Sequence, residues 1–143
     1  MELRGHMKGI WDLEFSPAEK QIVTVSGDKL MKVWNLSGEK AECVATLQGH
    51  ADQLVKVKWI NHGLQLATAC VDGIVKLWNL KKQQCVNTLQ MHEDKIWAMD
   101  LHEKITQVEN KNEDDDIQLQ SKIFVITAGG DSTFKIWEDY TLE

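Results

Sequence analysis

Apolar and polar residues alternate along short stretches of this chain, and the stretches recur. Trp11, Leu13 and Phe15 interleave with Asp12 and Glu14, a period of two with one apolar face that predicts a half-buried β-strand. Beyond the turn residues 16–20, the run Ile22-Val-Thr-Val25 predicts a second, more buried strand. Ser26-Gly27-Asp28-Lys29 has the composition of a tight turn, Met31–Asn35 predicts a third strand, and Cys43–Leu47 a fourth, outermost one. Val55–Trp59, Leu66–Ala69, Val75–Trp78 and Cys85–Leu89 repeat this order. Ile96–Leu101, Phe124–Thr127 and Phe134–Trp137 repeat it again, and the chain stops at Tyr140–Glu143 without a fourth strand in the last set. Eleven strands in consecutive antiparallel meanders are expected.

The residues between the strands repeat as well. The interval from His6 to Trp34 equals that from His50 to Trp78, and each of these histidines follows a glycine, Gly5 or Gly49. Asp28 and Asp72 stand at one fixed distance before their tryptophans, and Asp131 stands at the same distance before Trp137. In the third copy His92 and Trp137 lie further apart, which a single insertion accounts for. Self-similarity of this period, opening on Gly-His and closing on Trp, resembles the WD repeat, each copy of which is one four-stranded blade of a β-propeller. The expected fold is therefore all-β, a partial, open propeller of about three blades in a single domain spanning 1–143. Blade one covers 5–48, blade two 49–90 and blade three 91–143. Propellers close with roughly four to eight blades, so three leave two flanks uncovered, and the chain is expected to be part of a larger protein.

The resemblance implies roles for the repeated residues. In such repeats the aspartate of the turn accepts hydrogen bonds, and the histidine links it through a serine or threonine to the tryptophan. A buried carboxylate is tolerable only when paired in this way. His6, Ser26, Asp28 and Trp34 are then a full structural tetrad in blade one. His50, Asp72 and Trp78 serve blade two, and His92, Asp131 and Trp137 blade three. Cys70 and Gly129 stand where the hydroxyl is expected, so those two networks are expected to be weaker. The His and Asp pairs could be misread as catalytic dyads, but three copies at one period, one per blade, point to a scaffold. No nucleophile elbow, phosphate-binding glycine loop or zinc signature is present. No catalytic residue, metal site, cofactor or small-molecule substrate is expected.

In a meander the histidine loops and the aspartate turns share one face of the disc. Positions one, three and five after each histidine, and the residue before each aspartate, project onto it. The candidate partner-binding residues are Met7, Trp11, Gln53, Val55, Val71, Glu93, Lys95 and Trp97, among the small residues Gly9, Gly27, Ala51 and Gly130. Trp11 and Trp97 stand out because exposed tryptophan is enriched at binding hot spots.

Charge narrows the partner class. The net charge is −6 and Arg4 is the only arginine. Nucleic-acid affinity comes from neutralising phosphates, most effectively by arginine, so direct nucleic-acid binding is not expected. The insertion, 102–122, concentrates Glu103, Glu109 and Glu113-Asp-Asp-Asp116 against Lys104 and Lys111, with no aromatic residue. That composition predicts a mobile acidic loop, with a docking tail for a basic partner as the alternative. Cys43, Cys70 and Cys85 are widely spaced, without a C-x-x-C pair, which suits a reducing compartment. No apolar stretch approaches the length of roughly 18 residues that a membrane-crossing helix needs. A soluble, intracellular protein with no membrane partner is expected.

Several longer runs carry a closer resemblance. Gly5-His-Met-Lys-Gly-Ile-Trp11, Leu54-Val-Lys-Val-Lys-Trp59, Val71-Asp-Gly-Ile-Val-Lys-Leu-Trp78, His92-Glu-Asp-Lys-Ile-Trp97 and the closing Ile136-Trp-Glu-Asp-Tyr-Thr-Leu-Glu143 resemble the last three blades of the transducin-beta-like WD-repeat subunits of the UTP-B subcomplex, part of the small-subunit processome. The resemblance implies a nuclear, nucleolar scaffold in pre-ribosomal RNA processing. Its partners would be other protein subunits of a large ribonucleoprotein assembly, with RNA contacted only indirectly. Members of that family carry two tandem propellers and a helical C-terminal domain, and the resemblance covers neither the first propeller nor the helical domain. The alternative is a peptide-recognition adaptor serving a ubiquitin ligase or a signalling complex.

Overall fold

Eleven strands form three antiparallel sheets in a computed structural model that describes residues 2–109 and 117–139, with side chains described for 2–104 and 122–138. In the first sheet β1 (Ile10–Phe15), β2 (Gln21–Ser26), β3 (Leu30–Ser37) and β4 (Lys40–Gln48) lie in chain order. In the second, β5 (Leu54–Ile60), β6 (Gln65–Cys70), β7 (Ile74–Asn79) and β8 (Gln84–Gln90) do the same. The third contains β9 (Ile96–Glu109), β10 (Ile117–Gly129) and β11 (Phe134–Asp139). Every connection within a sheet joins neighbouring strands, as the repeated turn signals require. The strand limits run a residue or more beyond the apolar runs, and a short 3-10 turn, Asn61–Gly63, that the sequence did not signal joins β5 to β6.

The insertion departs from its expected form. Rather than forming a loop, most of it lengthens β9 and β10 into a hairpin whose register runs without a break from Ala128↔Ala98 out to Ile117↔Glu109. Ile105-Thr-Gln-Val108 and Ile117-Gln-Leu-Gln120 supply β-branched and apolar residues of good strand propensity. The averaged charge of the insertion hid this, because the acidic run 113–116 is concentrated between the two arms. That run lies outside the described residues.

The sheets stand side by side with β1, β5 and β9 in contact along the inner edge. At the first seam Val23, Met31 and Val33 pack against Leu54, Val57 and Trp59. At the second, Ala67, Val75 and Leu77 pack against Ile96 and Met99. Polar bonds reinforce the first seam. The Asp12 carboxylate accepts from Val57 N–H at 3.1 Å, and that of Glu14 from Trp59 N–H at 2.6 Å. Lys58 then bridges Glu14 at 3.2 Å and Asp100 at 3.6 Å, so one cation spans both seams. Burial by itself would lower the Lys58 pKa, but these carboxylates hold it above its ordinary value.

Candidate functional site

The loop that enters each blade is pinned from below by a histidine network. In blade one His6 Nδ1 lies 2.9 Å from Asp28 Oδ2, His6 Nε2 lies 2.8 Å from Thr24 Oγ1, and Trp34 Nε1–H donates to the same Thr24 oxygen at 2.9 Å. A carboxylate only accepts and an indole only donates, which sets the proton order for a neutral imidazole. His6 donates from Nδ1 to Asp28, and the Thr24 hydroxyl donates to Nε2. In blade three His92 lies 2.9 Å from Asp131 Oδ2 and 2.9 Å from Thr127 Oγ1, and Trp137 packs against the second core cluster.

The hydroxyl is therefore Thr24, and the assignment of Ser26 to the tetrad is corrected. Ser26 closes the turn instead, donating to the Lys8 carbonyl at 3.2 Å and accepting from Asp28 N–H at 3.1 Å. Residues 24 and 26 share a face of β2, but only the earlier one lies deep enough to reach the indole. Cys70 and Gly129 do not remove the hydroxyl from their networks, because Thr68 and Thr127 supply it. A signal was present: Thr24, Thr68 and Thr127 each stand at the same interval before a repeat tryptophan. Gly129 has its own reason, since a Cβ there would fall 2.5 Å from His92 Nδ1.

Hydrogen bonding also sets the carboxyl groups. Burial acts to raise Asp28, yet bonds from Met7 N–H, His6 and Leu30 N–H hold it below its ordinary value. The Thr133 hydroxyl and His92 pull Asp131 down to about 2.

Blade two keeps only part of this network. Thr68 Oγ1 lies 2.7 Å from His50 Nε2 and accepts from Trp78 Nε1–H at 2.8 Å. His50 Nδ1, however, is buried with no hydrogen-bond partner among the described residues, and Asp72 is engaged through Oδ1 by Ile74 N–H at 3.1 Å. Burial pulls the His50 imidazole down to about 4 against the opposing field of Asp72. Burial, helped by the Asp72 carboxylate, likewise pushes the Cys70 thiol up to about 12 against the backbone N–H groups of Asp72 and Asp52.

Above these networks lies the partner face. Gly27 N–H donates to the Gly9 carbonyl at 3.0 Å, Val71 N–H to Gln53 at 3.0 Å and Gly130 N–H to Lys95 at 2.7 Å, tying each aspartate turn to its histidine loop. The register of the two innermost strands then skips one residue in every blade, namely Trp11, Val55 and Trp97. A bulge of this kind re-aims the extra side chain. All three side chains line a single cavity of about 440 Å³, together with Gln53, Val71, Lys95, Asp52 and Lys56.

Side-chain volumes across the bulges match. Trp11 faces Gly27, where a Cβ would lie 3.0 Å from the indole nitrogen, and Trp97 faces Gly130. Blade two pairs the smaller Val55 with Val71. Lys95 Nζ sits 5.7 Å from the centre of the Trp97 ring, a cation–π geometry. Met7, 87% exposed, and Glu93 are also at the surface but do not line the cavity. Asp52 and Lys56 were not expected there, because loop length and the seam place them rather than the repeat.

A family model described as "WD domain, G-beta repeat" matches residues 1–35, 41–79 and 83–138. The chain belongs to the WD-repeat family. The three sheets are WD-repeat blades, and the family marks the molecule as a protein-interaction scaffold. Among the described residues no helix is long and apolar enough to cross a membrane.

Proposed function

We propose that the face carrying Trp11, Gln53, Val55, Val71, Lys95 and Trp97 is where this WD-repeat scaffold holds a protein partner, and that the scaffold acts without catalysis. Support comes above all from the convergence of three bulged residues from three blades on one cavity of about 440 Å³. Two of the lining tryptophans are 57% and 59% exposed, which is unusual for so large an apolar side chain unless a partner covers it. Lys56 and Lys95 beside Asp52 give the rim mixed charge, suited to orienting a polypeptide rather than to phosphate binding. Replacing Trp97 by Ala should lower partner affinity at least about tenfold and leave the unfolding midpoint nearly unchanged. Retention of full affinity by a Trp11→Ala/Trp97→Ala variant would move the interface elsewhere.

The assembly we favour is the nucleolar small-subunit processome, in which the chain would contribute to pre-ribosomal RNA processing through protein neighbours. The support is the likeness of runs such as His92-Glu-Asp-Lys-Ile-Trp97 and Val71-Asp-Gly-Ile-Val-Lys-Leu-Trp78 to the corresponding family. A single arginine and net charge of −6 fit indirect rather than direct contact with RNA. Affinity purification from nucleolar extract followed by mass spectrometry should enrich processome subunits and precursor ribosomal RNA. Ligase or signalling components without any nucleolar protein would replace this assignment by the adaptor reading.

A further inference from the structure

The histidine network of blade two differs from those of its neighbours at the place where the histidine should meet the aspartate. In blades one and three the Nδ1-to-carboxylate distance is 2.9 Å. In blade two His50, only 6% exposed, keeps its bond to Thr68 but leaves Nδ1 buried and without a partner among the described residues. A fully buried thiol, Cys70, occupies the position taken by Ser26 in blade one and Gly129 in blade three. A His50 ring nitrogen, Cys70 Sγ and an Asp72 carboxylate oxygen lie within 4.8 Å of one another. An imidazole nitrogen, a thiolate and a carboxylate form a donor set for a borderline-soft divalent ion.

We propose that His50 Nδ1, Cys70 Sγ and the Asp72 carboxylate form a site for one zinc-like divalent cation, with a water as fourth ligand. Zinc bonds of about 2.0–2.3 Å place neighbouring tetrahedral ligands roughly 3.5 Å apart. The three donors therefore have to close by about an ångström, and Asp72 is the group free to move. It is half-exposed, and Oδ1 alone holds the turn through Ile74 N–H.

The surroundings suit ligation. A metal-bound imidazole normally donates its other N–H to a fixed acceptor. Thr68 Oγ1, 2.7 Å from Nε2, is that acceptor, with a second lone pair for Trp78 N–H. The imidazole proton moves from Nδ1 to Nε2, and the thiol proton leaves to solvent. The ion would hold the second histidine loop to its turn, as the direct His and Asp bond does in the other two blades.

The test uses the full chain carrying Cys43→Ser and Cys85→Ser, which removes the two exposed thiols. After chelator treatment it is titrated with Co²⁺, and bound cobalt is then displaced with Zn²⁺. The expected result is a near-ultraviolet thiolate-to-cobalt band saturating at one equivalent, quenched by Zn²⁺. Cys70→Ser, which restores the blade-one residue type, should abolish the band, and Asp72→Asn should weaken binding at least about tenfold. X-ray absorption at the zinc edge should find one sulfur neighbour at about 2.3 Å, a readout that needs no further variant to fold. Absence of the band in the Cys43→Ser/Cys85→Ser chain, or its survival in a folded Cys70→Ser variant, overturns the proposal, as does a zinc spectrum without sulfur.

Discussion

Thr24 carries more of blade one than its size suggests. It is 5% exposed and serves both His6 and Trp34, so Thr24→Val leaves a ring nitrogen and an indole N–H unpaired in the interior. Each such loss costs about 1–3 kcal/mol, and the urea midpoint of the variant should fall by an amount corresponding to at least about 2 kcal/mol. Ser26→Ala removes only the turn closure, and about 1 kcal/mol is expected. Reversal of that order would return the tetrad hydroxyl to residue 26.

Asp131 makes a second residue-level prediction. Its carboxyl is held at about 2 by Thr133 and His92, below the unfolded value near 3.8. A depressed carboxyl binds fewer protons in the folded state, so its contribution is fully present above that unfolded value. It is lost as pH falls through about 2. Acid titration followed by tryptophan fluorescence should therefore show a steeper loss for the parent chain than for Asp131→Asn in that window, and parallel curves would exclude the linkage.

At the scale of elements, the β9–β10 hairpin is the feature that composition alone misjudged. Residues 102–109 and 117–123 are joined in one continuous antiparallel ladder, so the alternate amides that point across it should exchange clearly more slowly than in an unstructured peptide. Exchange at the unstructured rate along both arms would restore a loop. The turn after β6 depends on a backbone that only glycine adopts without strain. Gly73 has φ of +85° and faces the His92 carbonyl at a distance that leaves no room for a Cβ. Its own carbonyl accepts from Met91 and His92 N–H, both at 3.0 Å, which joins blade two to the loop of blade three. Gly73→Ala should cost at least about 2 kcal/mol, combining left-handed strain with displacement of that loop, and a wild-type melting temperature would contradict this.

For the whole molecule, equivalent positions reveal what is uncovered. Val23, Met31 and Val33 of blade one are at most 3% exposed, and Ala67, Val75 and Leu77 of blade two at most 2%. Their counterparts in blade three, Ile126, Phe134 and Ile136, are 38%, 69% and 61% exposed. At the opposite flank Leu13 and Phe15 are 53% and 68% exposed, against 1% and 9% for Val57 and Trp59. Apolar patches on two flanks favour association. Sedimentation velocity should find concentration-dependent oligomers of this chain, reduced by Phe15→Lys and by Ile136→Lys. A strictly monomeric parent chain would contradict it. Charge adds a preference, since Glu14, Lys58 and Asp100 alternate across the seams, and a blade set against Asp100 is best matched by a cation in that column.

Much of the architecture was legible because its causes are local and repeated. Period-two alternation in 11–15, turn residues at Ser26–Lys29 and the spacing of three His, Asp and Trp sets all act within one blade, so sequence by itself determined the strand order and the number of blades these residues form. What it left open depends on depth and on neighbours. Whether Thr24 or Ser26 reaches the indole is a matter of how far along β2 the tryptophan stacks. Trp11, Val55 and Trp97 converge because three bulges turn toward one cavity, and a bulge exists only relative to the partner strand. His50 is remote in the chain from Cys70 and Asp72, a spacing with no metal signature. The three come together only because the entering loop of a blade is folded onto the turn between its second and third strands. Tertiary structure decided those points, since each is a distance between segments that the order of residues along the chain does not constrain.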